Sequence, residues 1–495
     1  MQLLSELTNN LNVEVHGEAF ATQVSAVVEH SGCVITNSIF VARNGHRRDG
    51  SAFIDDAIEK GANCIVCTPD VADSIKHKNI ALVVTCDPIM IGATLAERFH
   101  GNPSSKLKLI GVTGTNGKTT VSYLIRHILR SCSIPCGMLG TIVCDDGQSS
   151  SAAKLTTPSF CDNSRLLRGM VDNNCVAAVM ECSSHALDQG RVAALDFDTG
   201  IFTNFSGDHL DYHGSSLAYL QAKLKLFKNV RRCAVINMDD PASWSVANRC
   251  NVPVMSCRIE SDSASAWVEV IEETISGLDV ILHGDWGEIR THIPLVGRHN
   301  AINALQATVI ADQLGASPKA IGAALSTAIS PPGRLERVQD DAIPVFVDFA
   351  HTDDALKKML ESVRHILPEG GKLHVVFGCG GDRDRSKRPR MGQTASIIGD
   401  IVYATSDNPR SENPETILDE VLSGVPADRR SRVHRIANRK EAIETAIGNA
   451  RECDVVIIAG KGHEKNQILR DRTIPFDDVL VAKEAIQTRA RNQTL

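Results

Sequence analysis

A glycine-rich stretch, GVTGTNGKTT at residues 111–120, has the residue types needed for phosphate chemistry. It is interpreted as a P-loop that runs from Gly111 to the Gly117-Lys118-Thr119 triplet, after a predicted strand and before a predicted helix. In that setting the loop amides and the helix N-terminus bind phosphates, the lysine contacts the outer phosphates, and the threonine ligates magnesium. The stretch therefore predicts binding of ATP or GTP.

Two polar stretches that follow predicted strands are candidates for metal and substrate binding. In MECSSHALDQGR, Glu181 would lie at the carboxyl edge of the sheet, where a carboxylate can hold magnesium. Ser183, Gln189 and Arg191 of the same stretch could contact an oxygen-rich substrate. In TNFSGDHLDYHG, a magnesium-associated His209 is favoured over a zinc site, because the HxxxH pair lacks a third ligand at a recognised spacing.

Lys223 is the candidate for a reactive amine. The predicted helix SSLAYLQAKLKLFK places Lys223 on the flank of an apolar face formed by Leu217, Leu220, Leu224 and Phe227. One interpretation is a lysine whose stem packs on that face while its ammonium stays in water. The other is a desolvated lysine, whose neutral amine can react with carbon dioxide.

Cationic residues cluster in loops of the last third of the chain. The loop GGDRDRSKRPR carries five of them: Arg383, Arg385, Lys387, Arg388 and Arg390. Such a run is ordinarily a solvated surface. Its glycine-rich position after a strand, together with Arg410 in the stiff stretch YATSDNPRSENP, favours an anion site, and Arg410 is suited to hold a carboxylate.

The elements that position these residues alternate between strands and helices, which predicts an α/β fold with mostly parallel sheets. The predicted strands are SIFVAR, CIVCTP, LKLIGV, AAVMEC, TGIFTNF, CAVINMD, VFVDF, LHVVFG, DIVYAT and DVVIIAG. The last four are each followed by a polar or glycine-rich stretch. Because ligands of parallel sheets bind beyond the carboxyl ends of strands, these stretches are expected along one rim.

The 495 residues suggest three domains, at roughly 100 to 200 residues each. We predict a small α/β domain over residues 1–100, a central P-loop domain over 101–333 and a Rossmann-like domain over 334–495. The boundaries fall at the Asn-Pro-Ser-Ser run and at the Pro-Pro-Gly run.

Composition narrows the functional class. A net charge of −7 gives no general reason to bind nucleic acid or acidic lipid, and no apolar run reaches the ~20 residues that span a bilayer. With no secretory signal, a soluble cytoplasmic protein is expected. The 15 cysteines are expected to be reduced and mostly buried, and the lone CxxC of Cys64 and Cys67 predicts no metal site.

Taken together, these stretches resemble the Mur ligases of bacterial cell-wall synthesis. GVTGTNGKTT, LTTPS, ECSSHALDQGR, TNFSGDHLDYHG, GRHNAINALQA, PGRLERV, DFAHTDDAL, GCGGDRDRSKRP, DNPR and GKGHE occur in the order of that family and cover nearly the whole chain. Within the family, the match is to members that use ATP to add meso-diaminopimelate to the D-Glu of UDP-MurNAc-L-Ala-D-Glu through an acyl phosphate. This implies a cytoplasmic ligase of peptidoglycan synthesis, cell shape and cell division that acts as a monomer on small molecules.

The resemblance implies four groups of site residues. The ATP residues are Gly114, Thr115, Asn116, Gly117, Lys118, Thr119, Thr120, Asn300, Arg334, Asp348 and His351. The implied catalytic residues are Lys118, Glu181, His209 and Lys223, and Mg²⁺ would be held by Thr119, Glu181, His209 and a carbamylated Lys223. The UDP-MurNAc-dipeptide residues are Ser31, His46, Arg47, Arg48, Thr156, Thr157, Ser183, Gln189 and Arg191. The diaminopimelate residues are Arg383, Asp407, Asn408, Pro409, Arg410, Gly460 and Glu464, with Arg410 on the distal carboxylate and Glu464 facing an ammonium.

The sequence departs from the family pattern at a few positions. The Asp-Ser-Arg signature for uridine is HSG here and retains only Ser31, and Leu155, Cys182 and Asp353 replace a common asparagine, valine and proline. Three alternatives remain: a lysine-adding ligase, a folylpolyglutamate synthetase relative, and a P-loop switch that uses nucleotide only to change shape. Arg410 argues against the first, the long amino-terminal region with TTPS against the second, and GKGHE with the basic loop against the third.

Overall fold

The computed structural model describes residues 1–18, 21–45, 49–75, 80–338 and 343–493. The chain divides into two compact units, one of Met1–Trp267, Gly284–Gly287 and Asn303–Ile321, and another of Val268–His283, Glu288–Ile302 and Gly322–Leu495. Each unit is α/β, as predicted. The boundaries at residues 100 and 333 stay predictions. Among the described residues, no helix is both long and apolar enough to cross a bilayer.

The first 106 residues build a small sheet with helices around it. The strands of this region are β1 (Gln2–Leu3), β2 (Glu14–His16), β3 (Gln23–Val24), β4 (Ala26–Val28), β5 (Ser38–Val41), β6 (Ala62–Cys67) and β7 (Ala81–Val84), of which β1 and β3 form a separate antiparallel pair. Its helices are α1 (Leu4–Thr8), α2 (Ile54–Glu59), α3 (Pro69–Ile75), α4 (Pro88–Phe99) and α5 (Pro103–Lys106). The strand order is β2-β7-β6-β5-β4, parallel except for β2, so that apolar β5 and β6 lie inside the sheet and are buried on both faces.

The following segment carries the larger sheet of the first unit. Its strands are β8 (Lys108–Thr113), β9 (Cys136–Leu139), β10 (Val143–Asp145), β11 (Ser150–Ala152), β12 (Ala177–Glu181), β13 (Phe197–Phe202), β14 (Val230–Asn237) and β15 (Val254–Ile259). Its helices are α6 (Lys118–Ser131), α7 (Phe160–Asp172), α8 (Ser184–Asp188), α9 (Leu210–His213), α10 (Ser216–Leu224) and α11 (Ser243–Ala247). The order β9-β12-β8-β13-β14-β15 is parallel throughout, so the carboxyl ends of β8, β12 and β13 lie side by side.

Three further strands form hairpins that were not predicted. They are β16 (Ala266–Thr274), β17 (Gly277–Gly284) and β18 (Gly287–Ile293), joined by two-residue turns and followed by helices α12 (His299–Gln313) and α13 (Pro318–Ser326). The expectation that strands and helices alternate up to residue 330 is therefore wrong here. Gly287 has a φ of +84°, which a tight hairpin turn requires and which glycine adopts without strain.

The last segment forms a Rossmann-like sheet. The strands of this segment are β19 (Glu336–Arg337), β20 (Val345–Asp348), β21 (Leu373–Cys379), β22 (Ile401–Ser406), β23 (Val433–Arg435), β24 (Val455–Ala459), β25 (Asn466–Ile468) and β26 (Thr473–Pro475), of which β25 and β26 form a separate antiparallel pair. Its helices are α14 (Asp353–His365), α15 (Lys387–Ile398), α16 (Pro414–Ser423), α17 (Arg439–Asn449) and α18 (Asp478–Gln493). The order β20-β24-β21-β22-β23 is parallel, with separate apolar clusters on its two faces.

Candidate functional site

The phosphate loop lies between β8 and α6. Gly114 and Gly117 have φ values of +148° and +84°, and a Cβ at Gly114 would collide with the Thr203 hydroxyl, so glycine is required there. The predicted loop start at Gly111 is wrong, because Gly111 belongs to β8 and packs against Phe197. Five residues separate Gly111 from Gly117, one more than the P-loop pattern has.

The chain segment after β13 supports the loop from one side. The Thr115 amide donates to the Asn204 carbonyl at 2.8 Å, and the Asn116 amide donates to Asn204 Oδ1 at 2.9 Å. Lys118 Nζ donates to the carbonyls of Gly114 at 3.0 Å and Thr115 at 2.9 Å. The ammonium thus lies against the loop at the N-terminus of α6, where positive charge and helix amides together suit a polyphosphate.

Lys223 is a buried amine beside the same loop. It is 1% exposed, its Nζ donates to the Gly114 carbonyl at 2.7 Å, and it lies 4.2 Å from the centroid of the Tyr219 ring. Burial, reinforced by the charge of Lys118 and opposed by Asp208, holds the pKa of Lys223 well below its ordinary value. The structure therefore favours the desolvated lysine over the lysine with an ammonium in water.

The helix that carries Lys223 differs from its prediction at one position. Leu224 and Phe227 are buried, at 4% and 1% exposed, and Leu220 packs against the same core. Leu217, which was predicted to face inward, is 67% exposed. It lies in the first turn of α10, where the chain enters the helix from the surface.

Glu181, at the carboxyl end of β12, contacts the phosphate-loop helix. Its fully buried carboxylate accepts a hydrogen bond from Thr119 Oγ1 at 2.9 Å, and from the Thr141 amide and hydroxyl, each at 2.9 Å. Thr141 was missed by the sequence analysis, since it belongs to no recognised motif. A buried carboxylate and hydroxyl beside a phosphate cradle offer the hard oxygen ligands that Mg²⁺ takes, so these residues fit that ion.

His209 lies in a histidine cluster. Its backbone is left-handed, with a φ of +52°, its Nε2 is 3.6 Å from Asp208 Oδ2, and its ring centroid is 4.8 Å from that of His185. Burial, with the charges of His209 and His213, lowers the pKa of His185 to about 4. Among the described residues, no group of three or more His, Cys, Asp or Glu side chains is arranged to hold a metal.

A hydrogen-bonded chain links Glu181 to residues predicted for the dipeptide substrate. Thr157 Oγ1 donates to the Glu181 carbonyl at 2.7 Å, and the Ser183 amide donates to Thr157 Oγ1 at 3.0 Å. Arg191 donates to the Thr157 carbonyl at 3.0 Å and through two nitrogens to Gln189 Oε1. Burial lowers the pKa of Arg191. These four predicted residues therefore form one network.

Other residues predicted for this substrate are less closely connected. The Thr156 hydroxyl lies within hydrogen-bonding distance of the Thr141 hydroxyl, at 3.2 Å, which places Thr156 at the edge of the Glu181 cluster. Ser31 is buried in the short turn Ser31–Cys33. His46, Arg47 and Arg48 lie outside the described residues.

Within the second unit, several predicted nucleotide residues surround the end of β20. Asp348 accepts from the amides of Leu335 and Ala350, each at 2.8 Å, and burial raises the pKa of its carboxyl. The Arg334 guanidinium lies 5.0 Å from the centroid of the Phe349 ring. The same ring lies 4.7 Å from that of His351, which is exposed. Asn300 is buried apart from these, and its side chain donates to the Val296 carbonyl at 2.8 Å.

Residues predicted for diaminopimelate meet at the ends of β22 and β24. Asn408 Nδ2 donates to Glu464 Oε2 at 2.7 Å. Gly460, with a φ of +114°, lies against Asp407, so that a Cβ there would be 3.0 Å from Asp407 Oδ2. Burial raises the pKa of Asp407. The buried Pro409 leads into Arg410, whose guanidinium donates to the Gly381 carbonyl at 2.6 Å.

Most cationic side chains of the predicted basic loop bind carboxylates or a backbone carbonyl of the protein itself. The fully buried Arg388 pairs with Glu412 at 2.9 Å and with Glu420 at 2.7 Å, and Arg385 also pairs with Glu412. Arg390 pairs with Asp353 at 2.8 Å, and Lys387 donates to the His351 carbonyl at 2.7 Å. The prediction that this whole cluster forms an anion site is wrong. Arg383 is exposed, and the described residues give it no ion pair.

Two segments of the chain match models of known protein domains. Residues 112–311 match the Mur ligase middle domain, and residues 333–462 match the Mur ligase glutamate ligase domain. A protein of Geobacillus thermodenitrificans named UDP-N-acetylmuramoyl-L-alanyl-D-glutamate--2,6-diaminopimelate ligase is 40% identical, over 92% of this chain and 93% of its own length. One of the same name from Chlamydia felis is 38% identical, over 98% of this chain and 99% of its own.

Solved structures agree with these sequence relatives. A structure of a UDP-N-acetylmuramoyl-L-alanyl-D-glutamate--2,6-diaminopimelate ligase has a TM-score of 0.72 and 29% identity, and covers 99% of each chain. The MurF ligase of Thermotoga maritima in complex with ADP has a TM-score of 0.60 at 16% identity, covering 95% of this chain and 99% of that one. At that identity the second likeness concerns the fold alone.

Proposed function

Because the chain belongs to the Mur ligase family, we propose that it is the ATP-dependent ligase that adds meso-diaminopimelate to UDP-MurNAc-L-Ala-D-Glu. One observation carries the proposal: Thr119 donates to the Glu181 side chain, and Thr157 donates to the backbone carbonyl of the same residue. It connects the phosphate loop to residues suited to the acceptor substrate, so a carboxylate held there would lie beside the outer phosphate of ATP.

The reaction has two steps. The γ-phosphate of ATP passes to the γ-carboxylate of the D-glutamyl residue, which gives an acyl phosphate and ADP. The diaminopimelate amine then attacks the acyl carbon, forms the amide, loses a proton and releases phosphate. Lys118 and the first amides of α6 offset the negative charge that develops between the phosphates, so catalysis is mainly positioning and electrostatic stabilisation.

The remaining nucleotide contacts are assigned by position in the fold. We assign the loop residues Gly114 to Thr120 to the phosphates of ATP, and Asn300, Arg334, Asp348 and His351 to other contacts with the nucleotide. The Arg334 guanidinium stacked on an aromatic ring and the turn after β20 support the last three. Stacked cations and turn amides are common partners of nucleotides.

A magnesium ion belongs to this proposal. Thr119 and Glu181 would hold it, and His209 is the third candidate. When bound, the ion offsets phosphate charge as a Lewis acid.

Lys223 is proposed to carry a carbamate. Its neutral amine would add to carbon dioxide with loss of one proton, which replaces a buried amine by a carboxylate. The low pKa of the amine and its position at Gly114 support this assignment.

The two organic substrates are assigned to two different sets of residues. Thr156, Thr157, Ser183, Gln189 and Arg191, with Ser31 and the three residues His46, Arg47 and Arg48, would bind the UDP-MurNAc-dipeptide. Arg383, Asp407, Asn408, Pro409, Arg410, Gly460 and Glu464 would bind diaminopimelate. The enzyme would act as a cytoplasmic monomer in peptidoglycan synthesis, with no nucleic acid or membrane partner.

The test is release of ADP by the purified protein with UDP-MurNAc-L-Ala-D-Glu and ATP. We expect release that depends on meso-diaminopimelate and is at most weakly supported by L-lysine. A preference for lysine would overturn the substrate assignment. Slow release that no amino acid stimulates would instead indicate a nucleotide switch.

A further inference from the structure

Lys461 lies in the GKGHE stretch directly after Gly460, and none of the roles proposed above uses it. Its side chain is fully buried. A buried ammonium has lost its hydration, so it is stable only where protein acceptors replace the water. The acceptors around Lys461 therefore indicate what the residue does.

Three acceptors surround Lys461 Nζ. They are Asn408 Oδ1 at 3.0 Å, Glu464 Oε2 at 3.1 Å and the Asn466 carbonyl at 2.7 Å. An ammonium has three N–H donors, so each donor has one partner. Lys461 thereby connects the loop after β22, the turn after β24 and the start of β25.

The contacts of Glu464 are one-sided. Both Lys461 Nζ and Asn408 Nδ2 bind Oε2, whereas within the described part of the chain Oε1 has no partner. The Glu464 side chain is 38% exposed. One oxygen is thus fixed by the protein and the other is open to a ligand.

Asp407 adds a second acceptor to the same place. Its Oδ1 is buried without a hydrogen-bond partner and lies 3.6 Å from Lys461 Nζ, which leaves a charge contact only. The Arg439 guanidinium near Asp407 is already paired with Asp478 at 2.7 Å. Asp407 and Glu464 thus both lie against the ammonium of Lys461, and the open oxygen of Glu464 remains as an acceptor for an ammonium group of a ligand.

Resting on the proposed function, we propose that Lys461 is a positioning residue that fixes the Glu464 carboxylate so that Oε1 receives the distal ammonium of diaminopimelate. Without Lys461, the half-exposed Glu464 would sample several rotamers, and diaminopimelate binding would have to order it. The effect is specific to the distal nitrogen, because the reacting amine and the distal carboxylate contact other groups.

The experiment compares diaminopimelate with L-2-aminopimelate, which keeps the reacting amine and the distal carboxylate but lacks the distal ammonium. In Lys461→Met, we expect the KM for diaminopimelate to rise about tenfold or more, while the KM for 2-aminopimelate and for ATP stays within about twofold of wild type. The matched control is Lys465→Met in the same segment. Lys465 is an exposed lysine paired with Asp477 at 2.7 Å, and its replacement should change neither KM.

The outcomes separate the two proposals. Wild-type protein that does not use diaminopimelate would refute the proposed function itself. Wild-type protein that uses it, with a Lys461→Met variant whose KM is unchanged or rises equally for both amines, would refute the role of Lys461. If Lys461→Met does not fold, Lys461→Gln gives the same comparison, because its amide can still donate to Asn408 and to the Asn466 carbonyl.

Discussion

The two units each bury a lysine beside their candidate site, and the surroundings of the two amines differ. Lys223 has one carbonyl, that of Gly114, and the Tyr219 ring. Lys461 has three acceptors, and two carboxylates lie within 3.6 Å. Burial alone therefore does not decide what a lysine does. Where carboxylates contact the lysine, it serves as a fixed cation, and where no carboxylate forms an ion pair with it, burial favours a neutral and reactive amine.

The largest expected effect tests the reactive amine. Lys223→Ala should lower the rate of amide formation about 10²–10³-fold, because the carbamate that would hold the magnesium ion is lost, and with it the cation that offsets phosphate charge. Short carboxylic acids such as acetate, added to the assay, should restore part of the rate. The measurement is ADP release with and without the acid.

The rescue also tests the comparison between the two lysines. Acetate should not help Lys461→Met, because that variant lacks a cation and not a carboxylate. Absence of rescue in Lys223→Ala at any acid concentration would contradict the carbamate.

The second-largest expected effect is on stability and concerns the arginines that pair with Glu412. Hydrogen bonding by Arg388, with the charge of Arg385, lowers the pKa of Glu412 to about 2. Glu412→Gln should therefore lower the free energy of unfolding by about 3 kcal/mol at pH 7, since the buried Arg388 loses one of its two carboxylate partners. The measurement is urea unfolding followed by circular dichroism.

The pH dependence of that effect follows from the depressed pKa. The stability that Glu412 contributes is fully present above the ordinary glutamate pKa and is lost as pH falls toward about 2. The difference between wild type and Glu412→Gln should shrink over that interval. A difference that stays constant from neutral to acidic pH would show that the ion pair is not its origin.

The third expected effect is a change in the free energy of unfolding, which has opposite signs for the two lysines. Lys223→Met should raise the free energy of unfolding at pH 7 by about 1 kcal/mol in protein freed of carbon dioxide, because an apolar side chain replaces a desolvated amine. Lys461→Met should lower it by about 2 kcal/mol, since buried acceptors lose their donors. Denaturant unfolding of both variants in the same buffer measures the two changes in the free energy of unfolding. Changes of the same sign would contradict the difference between the two lysines.

The smallest effect concerns selection of the amino acid. Arg410→Lys should raise the KM for diaminopimelate about tenfold, because a lysine cannot form two parallel hydrogen bonds to the distal carboxylate. The KM for ATP should not change. Steady-state kinetics in both substrates measure this, and the exposed Arg430→Lys substitution is the matched control. An unchanged KM for diaminopimelate would remove Arg410 from the site.

Much of the fold was predictable because its strands are short apolar runs bounded by glycine and polar residues. The strand after each predicted domain boundary, β8 and β20, was predicted at nearly its observed position. The hairpins of β16 to β18 were missed, since their half-buried strands carry charged and polar residues and the two-residue turns lack the usual Asn-Gly signal.

The sequence by itself determined the phosphate loop, because glycine at positions of positive φ and a lysine at a helix start are local requirements that few other patterns satisfy. It also indicated the stretches that gather at the ends of strands. Only the tertiary structure decided which charges in those stretches lie against each other: Arg388 with Glu412, and Lys461 with Asp407. The physical reason is that Arg388 and Glu412 are 24 residues apart, and Asp407 and Lys461 follow two different strands, β22 and β24, so these partners meet only when the sheet has formed.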